Sequence, residues 1–351
     1  MRTLILAAGR FGDDMRRGIA AGREPRLDVF ELAKTLHADV LDFLDVESSS
    51  NPIVRAVTRA LGLSAGVAQL GFMGRKHYDA VLTTGEDIGL PLALLCKGVS
   101  AKLSHTMIAH TLFPLKKRVF FKLGAASHID RVLAYSTSEE RLMIDKLGIA
   151  ETKVERIYYH ADQQFFRPSD KPVEPDLICA AGQLLRDYDC LIDAVRDLPV
   201  RVQIAAGSPW IDKTVKPQGE LPKNVSWGKL NRFDLRGLYE KSAIAVVPIL
   251  QNHYQTGIAT ILEMMSMGKC VIATRTHGQT DTIVDGVTGV YVPPSDPQAL
   301  RAAIQRMIGD PEGAKRMGQA ARKFIEENAS LDLFVEKLTQ AVAKGHAVRF
   351  G

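Results

Sequence analysis

Cysteine is scarce in this chain, and the four present (Cys96, Cys179, Cys190 and Cys270 among 351 residues) stand far apart in apolar strings. They show neither metal-ligand pairing nor the density of a disulfide scaffold, which points to buried thiols in a reducing compartment. Long hydrophobic runs are also missing. The longest, around residues 88–96, falls far short of the roughly 20 residues a membrane-crossing helix needs. The opening MRTLILAAGRFGDD turns acidic too early for a secretory leader. Neither sign of charge dominates: the net charge is +5, too little for a protein that coats nucleic acid but enough to favour acidic partners. Most of that excess lies in the first 168 residues. These absences exclude a secreted mini-protein, a fibre, a disordered tail and an integral membrane protein. The expected location is cytoplasmic, with no nucleic-acid partner.

Hydrophobic residues make up 46% of the chain, arranged as short Val/Ile/Leu runs that alternate with longer amphipathic stretches. Runs at residues 4–8, 40–43, 80–84, 106–110 and 132–135 are separated by helical patterns at 27–37, 90–96 and 138–147. A second series follows, with runs at 177–181, 201–206, 244–248, 270–274 and 289–292 and helices at 184–196, 233–241 and 258–267. Strand–helix alternation of this kind implies parallel sheets covered on both faces. Between the series, PSDKPVEPD (residues 168–176) reads as a linker, because proline removes backbone donors. The fold class is therefore α/β: two doubly wound, Rossmann-like parallel-sheet domains facing a cleft. Residues 1–168 form the first, residues 169–330 the second, and residues 331–351 a terminal helix that packs back toward the first. Such sheets bind ligands at the carboxyl ends of their strands.

Five constellations fall at strand ends or helix starts. Ala7-x-Gly9-x-x-Gly12 follows the first strand. It reads as a tight turn, as a phosphate- or acceptor-facing turn, or as a dinucleotide fingerprint whose first glycine is alanine. His110 ends the run 106–110, where an imidazole can hydrogen-bond a sugar hydroxyl; His105, at the start of that run, reads as structural. KKRVFFK (residues 116–122) carries Lys116, Lys117, Arg118 and Lys122 beside Val119, Phe120 and Phe121. It fits an anionic membrane surface or a solvated helix with two phenylalanines in the core. Arg186, after the strand ending at Gly182, can grip a diphosphate bidentately or pair with Asp187 or Asp189. Most informative is LQNHYQTGIATILEMMSMGKCVIAT, in which Gln255 stands at a helix mouth and Glu263 two turns deeper on the same side. The amides of Gly257, Ile258 and Ala259 occupy the positive end of that helix. A glutamate on an otherwise apolar face is costly without partners. The set suits a nucleoside diphosphate, with Glu263 accepting from ribose hydroxyls.

The stretch Gln255-x7-Glu263, followed by Met267-Gly268-Lys269-Cys270-Val271-Ile272, resembles the donor loop of the GT-B retaining glycosyltransferases of family 4 (glycosyl transferases group 1). DGVTGVYVPPSDPQAL (residues 285–300) and the Asp162 of IYYHADQQFFRP are similar to the family's segments at those places. THGQTD (residues 276–281) stands where the family has Gly-Gly-x-Pro-Glu. The resemblance implies GT-B architecture and metal-independent transfer of a sugar from a UDP- or GDP-linked donor to a glycan or lipid hydroxyl, with no cofactor. It further implies that Glu263 holds the ribose, Arg186 neutralises the phosphates and His110 lies beside the donor sugar. Gln183, Gly207, Leu230 and Thr256 join the nucleotide side, and Gly12 the acceptor side. This chain departs from the family in three places. Gln255 replaces a glutamate that touches the transferred sugar, Gln183 replaces a frequent arginine, and Gly12 lacks its usual glycine neighbour. Two rival readings are a sugar-nucleotide epimerase on the same fold, which needs no acceptor, and a non-catalytic nucleotide-sugar binder, favoured by the lost charge at Gln255. A nicotinamide dehydrogenase rests on the glycine turn alone. Contact with the inner face of a membrane through residues 116–122 would bring a lipid acceptor within reach.

Overall fold

A computed structural model describes residues 1–207 and 219–351. The chain divides into two compact units, residues 1–20, 26–157 and 332–351 on one side and residues 21–25 and 158–331 on the other.

The first unit contains β1 (Thr3–Leu6), α1 (Asp13–Ala20), α2 (Asp28–Leu36), β2 (Asp39–Leu41), α3 (Phe43–Ser48), α4 (Pro52–Leu61) and α5 (Leu63–Gly74). It continues with β3 (Ala80–Thr83), α6 (Glu86–Gly98), β4 (Ser104–Ala109), α7 (Leu115–Lys122), β5 (Arg131–Ala134), α8 (Thr137–Arg141) and β6 (Val154–Arg156). The strands pair in parallel in the order β2-β1-β3-β4-β5-β6. One core gathers Leu4, Leu6, Val81, Ile88 and Leu92; another gathers Met107, Ala109, Val132 and Ala134 with Leu90 and Met143. Two helices, α4 and α5, fill a stretch with no expected element. Asn51 caps α4 through its side chain, with Pro52 at the first helical position, a sequence-level helix start.

The second unit contains β7 (Glu174–Ala181), α9 (Tyr188–Val195), β8 (Arg201–Ala205), β9 (Val225–Gly228), α10 (Arg232–Lys241), β10 (Ser242–Val247), α11 (Ile258–Ser266), β11 (Cys270–Thr274), β12 (Val290–Val292), α12 (Pro297–Gly309) and α13 (Pro311–Phe324). The strand order is β12-β11-β10-β7-β8-β9, again all parallel. Alternate residues of each central strand feed opposite cores. Ile178, Ala180, Ile244, Val246, Cys270 and Ile272 lie in one, and Leu177, Cys179, Ala181, Ala245, Val247, Val271 and Ala273 in the other. This period of two is what a sheet buried on both faces requires. The last helix, α14 (Leu331–Phe350), belongs to the first unit. There Arg349 pairs with buried Asp130 at 3.0 Å, and Gly345 approaches Ser104, Thr106 and Arg131.

Three expectations are corrected. The boundary lies at residue 157, not 168, because Ala161, Phe165 and Phe166 are core residues of the second unit. The linker ends sooner than 176. Pro175 lies inside β7, where the pairing with β10 shifts register between Ser242 and Ile244; an irregularity of this kind tolerates a missing donor. The helix expected from 184 starts at Tyr188, because Leu185 adopts a left-handed φ of 51°.

In both sheets the strand order reverses next to the first strand of the unit, between β1 and β3 and between β7 and β10. Each reversal opens a crevice at the carboxyl ends of those strands. Close packing beneath the second crevice is testable at Gly318 of α13. A Cβ there would overlap the Gly268 carbonyl group, with the carbonyl carbon at 2.7 Å and Lys269 C at 3.1 Å. Gly318→Ala is expected to cost about 1–3 kcal/mol in urea unfolding, and an unchanged midpoint would refute the close packing.

Candidate functional site

In the second unit the loops at the β7–β10 reversal converge. Gly182, with a left-handed φ of 96°, turns the chain at the end of β7. A Cβ at Gly182 would strike the Arg186 guanidinium, so only glycine leaves this arginine its place. Arg186 is 9% exposed. Its Nε donates to the Ala181 carbonyl at 3.0 Å, Nη1 to the Leu184 carbonyl at 2.9 Å and Nη2 to the Thr260 hydroxyl at 3.2 Å. All three acceptors are neutral. The alternative of a surface pair with Asp187 is not realised: Asp187 caps α9 by accepting from Cys190 N and takes the Ser295 hydroxyl. Burial lowers the guanidinium pKa, opposed by Tyr188, Tyr239 and Glu263, yet arginine stays charged in proteins. Leu185 beside it holds a bulky side chain at positive φ, a strained conformation of the sort that clusters at functional sites.

Gly257, also left-handed with φ 85°, caps α11 without a side-chain acceptor. A Cβ on it would stand 3.3 Å from Arg186 Nη1. The sheet order thus brings Arg186 and the α11 start together across 71 residues. One detail differs from expectation: the Ile258 amide is not free, since it donates to the Gln255 carbonyl at 3.4 Å across the tight Gly257 turn. Ala259 follows in the first turn, where helix amides lack intrahelical acceptors. The loop carrying Gln255 and Thr256 is fixed from outside. Asn252 Oδ1 accepts from Tyr254 N at 2.7 Å and from the Thr256 hydroxyl at 3.2 Å, and buried Gln279 donates to the Thr256 carbonyl at 3.4 Å.

Glu263, 7% exposed, sits one turn below Thr260. Its Oε1 accepts from Arg232 Nη1 at 2.6 Å and its Oε2 from the Tyr239 hydroxyl at 3.4 Å. The Glu263 charge raises the Arg232 pKa, and burial raises that of Tyr239. Sequence reasoning missed both partners. They lie 31 and 24 positions upstream on α10, and no periodic signal links them to α11. Thr260 was within reach, since the spacing 257, 260, 263 marks one helical face. Gln183 is 3% exposed, and neither of its side-chain polar atoms has a hydrogen-bond partner. A buried amide left so is costly and marks a place for a polar ligand group. Gly207 and Leu230, at the ends of β8 and β9, are neighbours: a Cβ on Gly207 would lie 4.0 Å from the Leu230 carbonyl.

In the first unit His110 follows β4. Its ring Nε2 lies 2.8 Å from the Thr84 carbonyl and its ring 5.3 Å from that of Tyr135, while its amide donates to Glu86 Oε2 at 2.8 Å. His105 is buried against Thr83 and the His128 carbonyl, and burial lowers its pKa to about 4. The turn after β1 is tied down by Phe11 N donating to Asp42 at 2.7 Å and Phe43 N to the Gly9 carbonyl at 3.0 Å. Here the dinucleotide reading loses support. Gly12 has room for a side chain, with Leu44 Cδ1 in ordinary contact at 3.5 Å, and Asp13 and Asp14 occupy the positive end of α1. In the basic stretch 116–122, Lys117 is buried in an ion pair with Glu86 and lies 3.1 Å from Asp87. Phe120 and Phe121 pack on the core, and Lys116 and Lys122 stay exposed.

Residues 162–324 match the family model described as glycosyl transferases group 1. An alpha-D-kanosaminyltransferase of Streptomyces kanamyceticus is 28% identical over 170 residues, covering 48% of this chain and 42% of that protein. A D-inositol 3-phosphate glycosyltransferase of Mycobacterium bovis is 22% identical over 373 residues, covering 95% of this chain and 72% of that protein. The match to the first of these spans less than half of the relative's length. Among solved structures, sucrose-phosphate synthase from Thermosynechococcus elongatus aligns with a TM-score of 0.74 at 16% identity, covering 99% of this chain and 100% of that one. Anabaena HepE in complex with UDP and glucose aligns at 0.68 and 15%, covering 97% and 99%. The fold is that of the GT-B glycosyltransferases.

The Arg232–Glu263 pair gives a direct test of the site's electrostatics. Arg232→Met should lower stability by about 2–4 kcal/mol at neutral pH, because it strands a buried carboxylate. Adding Glu263→Gln should recover most of that loss. Additive losses in a double-mutant cycle would show that the pair is not coupled.

Proposed function

We propose that the chain is a family 4, retaining glycosyltransferase that moves a sugar from a UDP- or GDP-linked donor to an acceptor hydroxyl. The observation that carries this reading is the buried Arg186 guanidinium. It is bonded only to neutral groups and stands at the start of α11 on the strand-reversal edge. A buried cation there is ready for the diphosphate that gains charge as the glycosidic bond breaks. Because Arg186 is already fixed in place, stabilising that charge costs no reorganisation. The first-turn amides of α11 add to it, so charge neutralisation is assigned to the chain's own groups, and the transfer is read as metal-independent. Gln183, with unmet hydrogen-bonding capacity, serves the same nucleotide, with Gly207 and Leu230 on its base side. Glu263 accepts from the ribose, exchanging part of its bond to Tyr239 while Arg232 holds its other oxygen.

Retention follows the front-face route, in which the leaving phosphate oxygen takes the acceptor proton and the new bond forms on the face the leaving group vacates. By the family resemblance, His110 is assigned to the donor sugar. With Nε2–H committed to the Thr84 carbonyl, it offers Nδ1 and its carbonyl oxygen to the cationic transition state. Gln255 supplies a neutral hydrogen-bonding group to the sugar. The names of the relatives support transferase chemistry, and the structure bound to UDP and glucose supports a uridine donor. Neither names an epimerase.

A lipid or envelope-glycan acceptor is supported by α7. Leu115, Val119 and Leu123 recur at every fourth position and are 75%, 50% and 56% exposed, flanked by exposed Lys116 and Lys122. One helix face thus joins aliphatic side chains to cations, the composition that lies in the plane of an anionic membrane. Among the described residues no helix is long and apolar enough to cross one.

A thermal-shift screen of UDP, GDP and ADP sugars should raise the melting temperature with one base. Glu263→Ala should abolish that shift, and Arg186→Ala should lower turnover about 100-fold. Unchanged behaviour of both variants would overturn the assignment, and donor binding with no turnover on any acceptor would leave a binder. Flotation with anionic vesicles at low salt should carry the protein upward and fail for Leu115→Ser/Val119→Ser; flotation of that variant would remove α7 from the account.

A further inference from the structure

The loop that follows β4 is held in an unusual way. Three consecutive amides point at carboxylates from two different helices. His110 N donates to Glu86 Oε2 at 2.8 Å, Thr111 N to Glu86 Oε1 at 3.3 Å and Leu112 N to Glu139 Oε2 at 3.1 Å. Glu86 opens α6 and Glu139 lies in the first turn of α8. Both are 3% exposed. Lys117 of α7 pairs with Glu86 and shares its charge with the solvent-exposed Asp87.

One buried lysine cannot neutralise two buried carboxylates. Glu86 takes it, and Glu139 faces the Glu86 charge, the Lys117 ammonium and the Thr111 hydroxyl with its second oxygen, Oε1, buried and unbonded. A carboxyl group so placed is relieved by a proton. We propose that Glu86 and Glu139 are positioning residues that set the His110 loop, and that one proton on Glu139 switches how tightly the loop is held. With Glu139 ionised, its charge strengthens the grip on Leu112 N–H but opposes Glu86. With Glu139 protonated, the repulsion is gone and the Leu112 bond becomes an ordinary neutral one. In agreement, burial pushes the Glu139 carboxyl up to about 7, with the Glu86 charge adding and the Leu112 amide and nearby Thr111 hydroxyl opposing. His110 itself turns its Nε2 to the Thr84 carbonyl and is moved through its backbone.

The part of this inference that concerns turnover rests on the glycosyltransferase reading. The proton switch does not, and it can be read without substrate. In the 351-residue chain labelled with nitrogen-15, the Thr111 and Leu112 amide signals should move together with a midpoint near 7. That movement should vanish in Glu139→Gln and survive in His110→Gln. Because folding raises the Glu139 pKa above its usual 4.5, the folded state binds the proton more tightly. The stabilisation is complete below about 4.5 and lost as pH rises through about 7. The wild-type melting temperature should therefore fall more between about pH 5 and pH 8 than that of Glu139→Gln. Once a donor is known, Glu139→Ala should lower kcat about tenfold with donor KM changed less than about twofold, and Glu139→Gln should restore kcat. Amide titrations that persist in Glu139→Gln, or that disappear in His110→Gln, would overturn the switch. Titrations as expected with no turnover on any sugar nucleotide would overturn only the catalytic reading.

Discussion

Everything at the second crevice is organised around one buried cation. The Arg186 guanidinium ties the end of β7, the strained turn after it and the first turn of α11 into one piece through bonds to Ala181, Leu184 and Thr260. Two left-handed glycines, Gly182 and Gly257, clear the space it fills. A desolvated positive charge bonded only to dipoles is an unstable bargain for folding alone. It becomes favourable when an anion arrives, and Gln183, with unspent hydrogen-bonding groups nearby in sequence, points the same way. The strain at Leu185 fits this picture, because the turn is shaped to hold the cation and not to minimise its own energy.

Around that centre the chain separates two electrostatic tasks. Arg186 has no carboxylate among its hydrogen-bond acceptors. Glu263, two helical turns along α11, is locked to Arg232 and Tyr239. These opposite charges lie in different hydrogen-bond sets. The first unit repeats the principle in another form. The carboxyl groups of Glu86 and Glu139 grip backbone amides, and so turn buried charge into loop geometry.

The same architecture, built twice, gives the two units different chemistry because their strand-end loops differ. At the β7–β10 reversal the loops are glycine-opened and cationic. At the β1–β3 reversal the turn is tied to Asp42 through the Phe11 amide, and the helix that follows begins with two aspartates. Likeness of fold therefore carries no functional equivalence between the units.

The alternation of apolar runs with amphipathic stretches was enough to read two parallel α/β domains from the sequence, because a strand buried on both faces needs an unbroken hydrophobic run. The local signatures at Gly257, Gln255 and Glu263 were legible too, since they lie within one loop and one helix. Only the tertiary structure joined Arg186 to the start of α11, gave Glu263 its partners on α10 and buried Lys117 against Glu86. Contacts between side chains far apart in sequence are fixed by sheet order and helix packing, and no period in the sequence records them. The boundary at residue 157 was decided the same way. Which core Phe165, Phe166 or Arg349 joins depends on where the chain has already folded, not on the residues beside them.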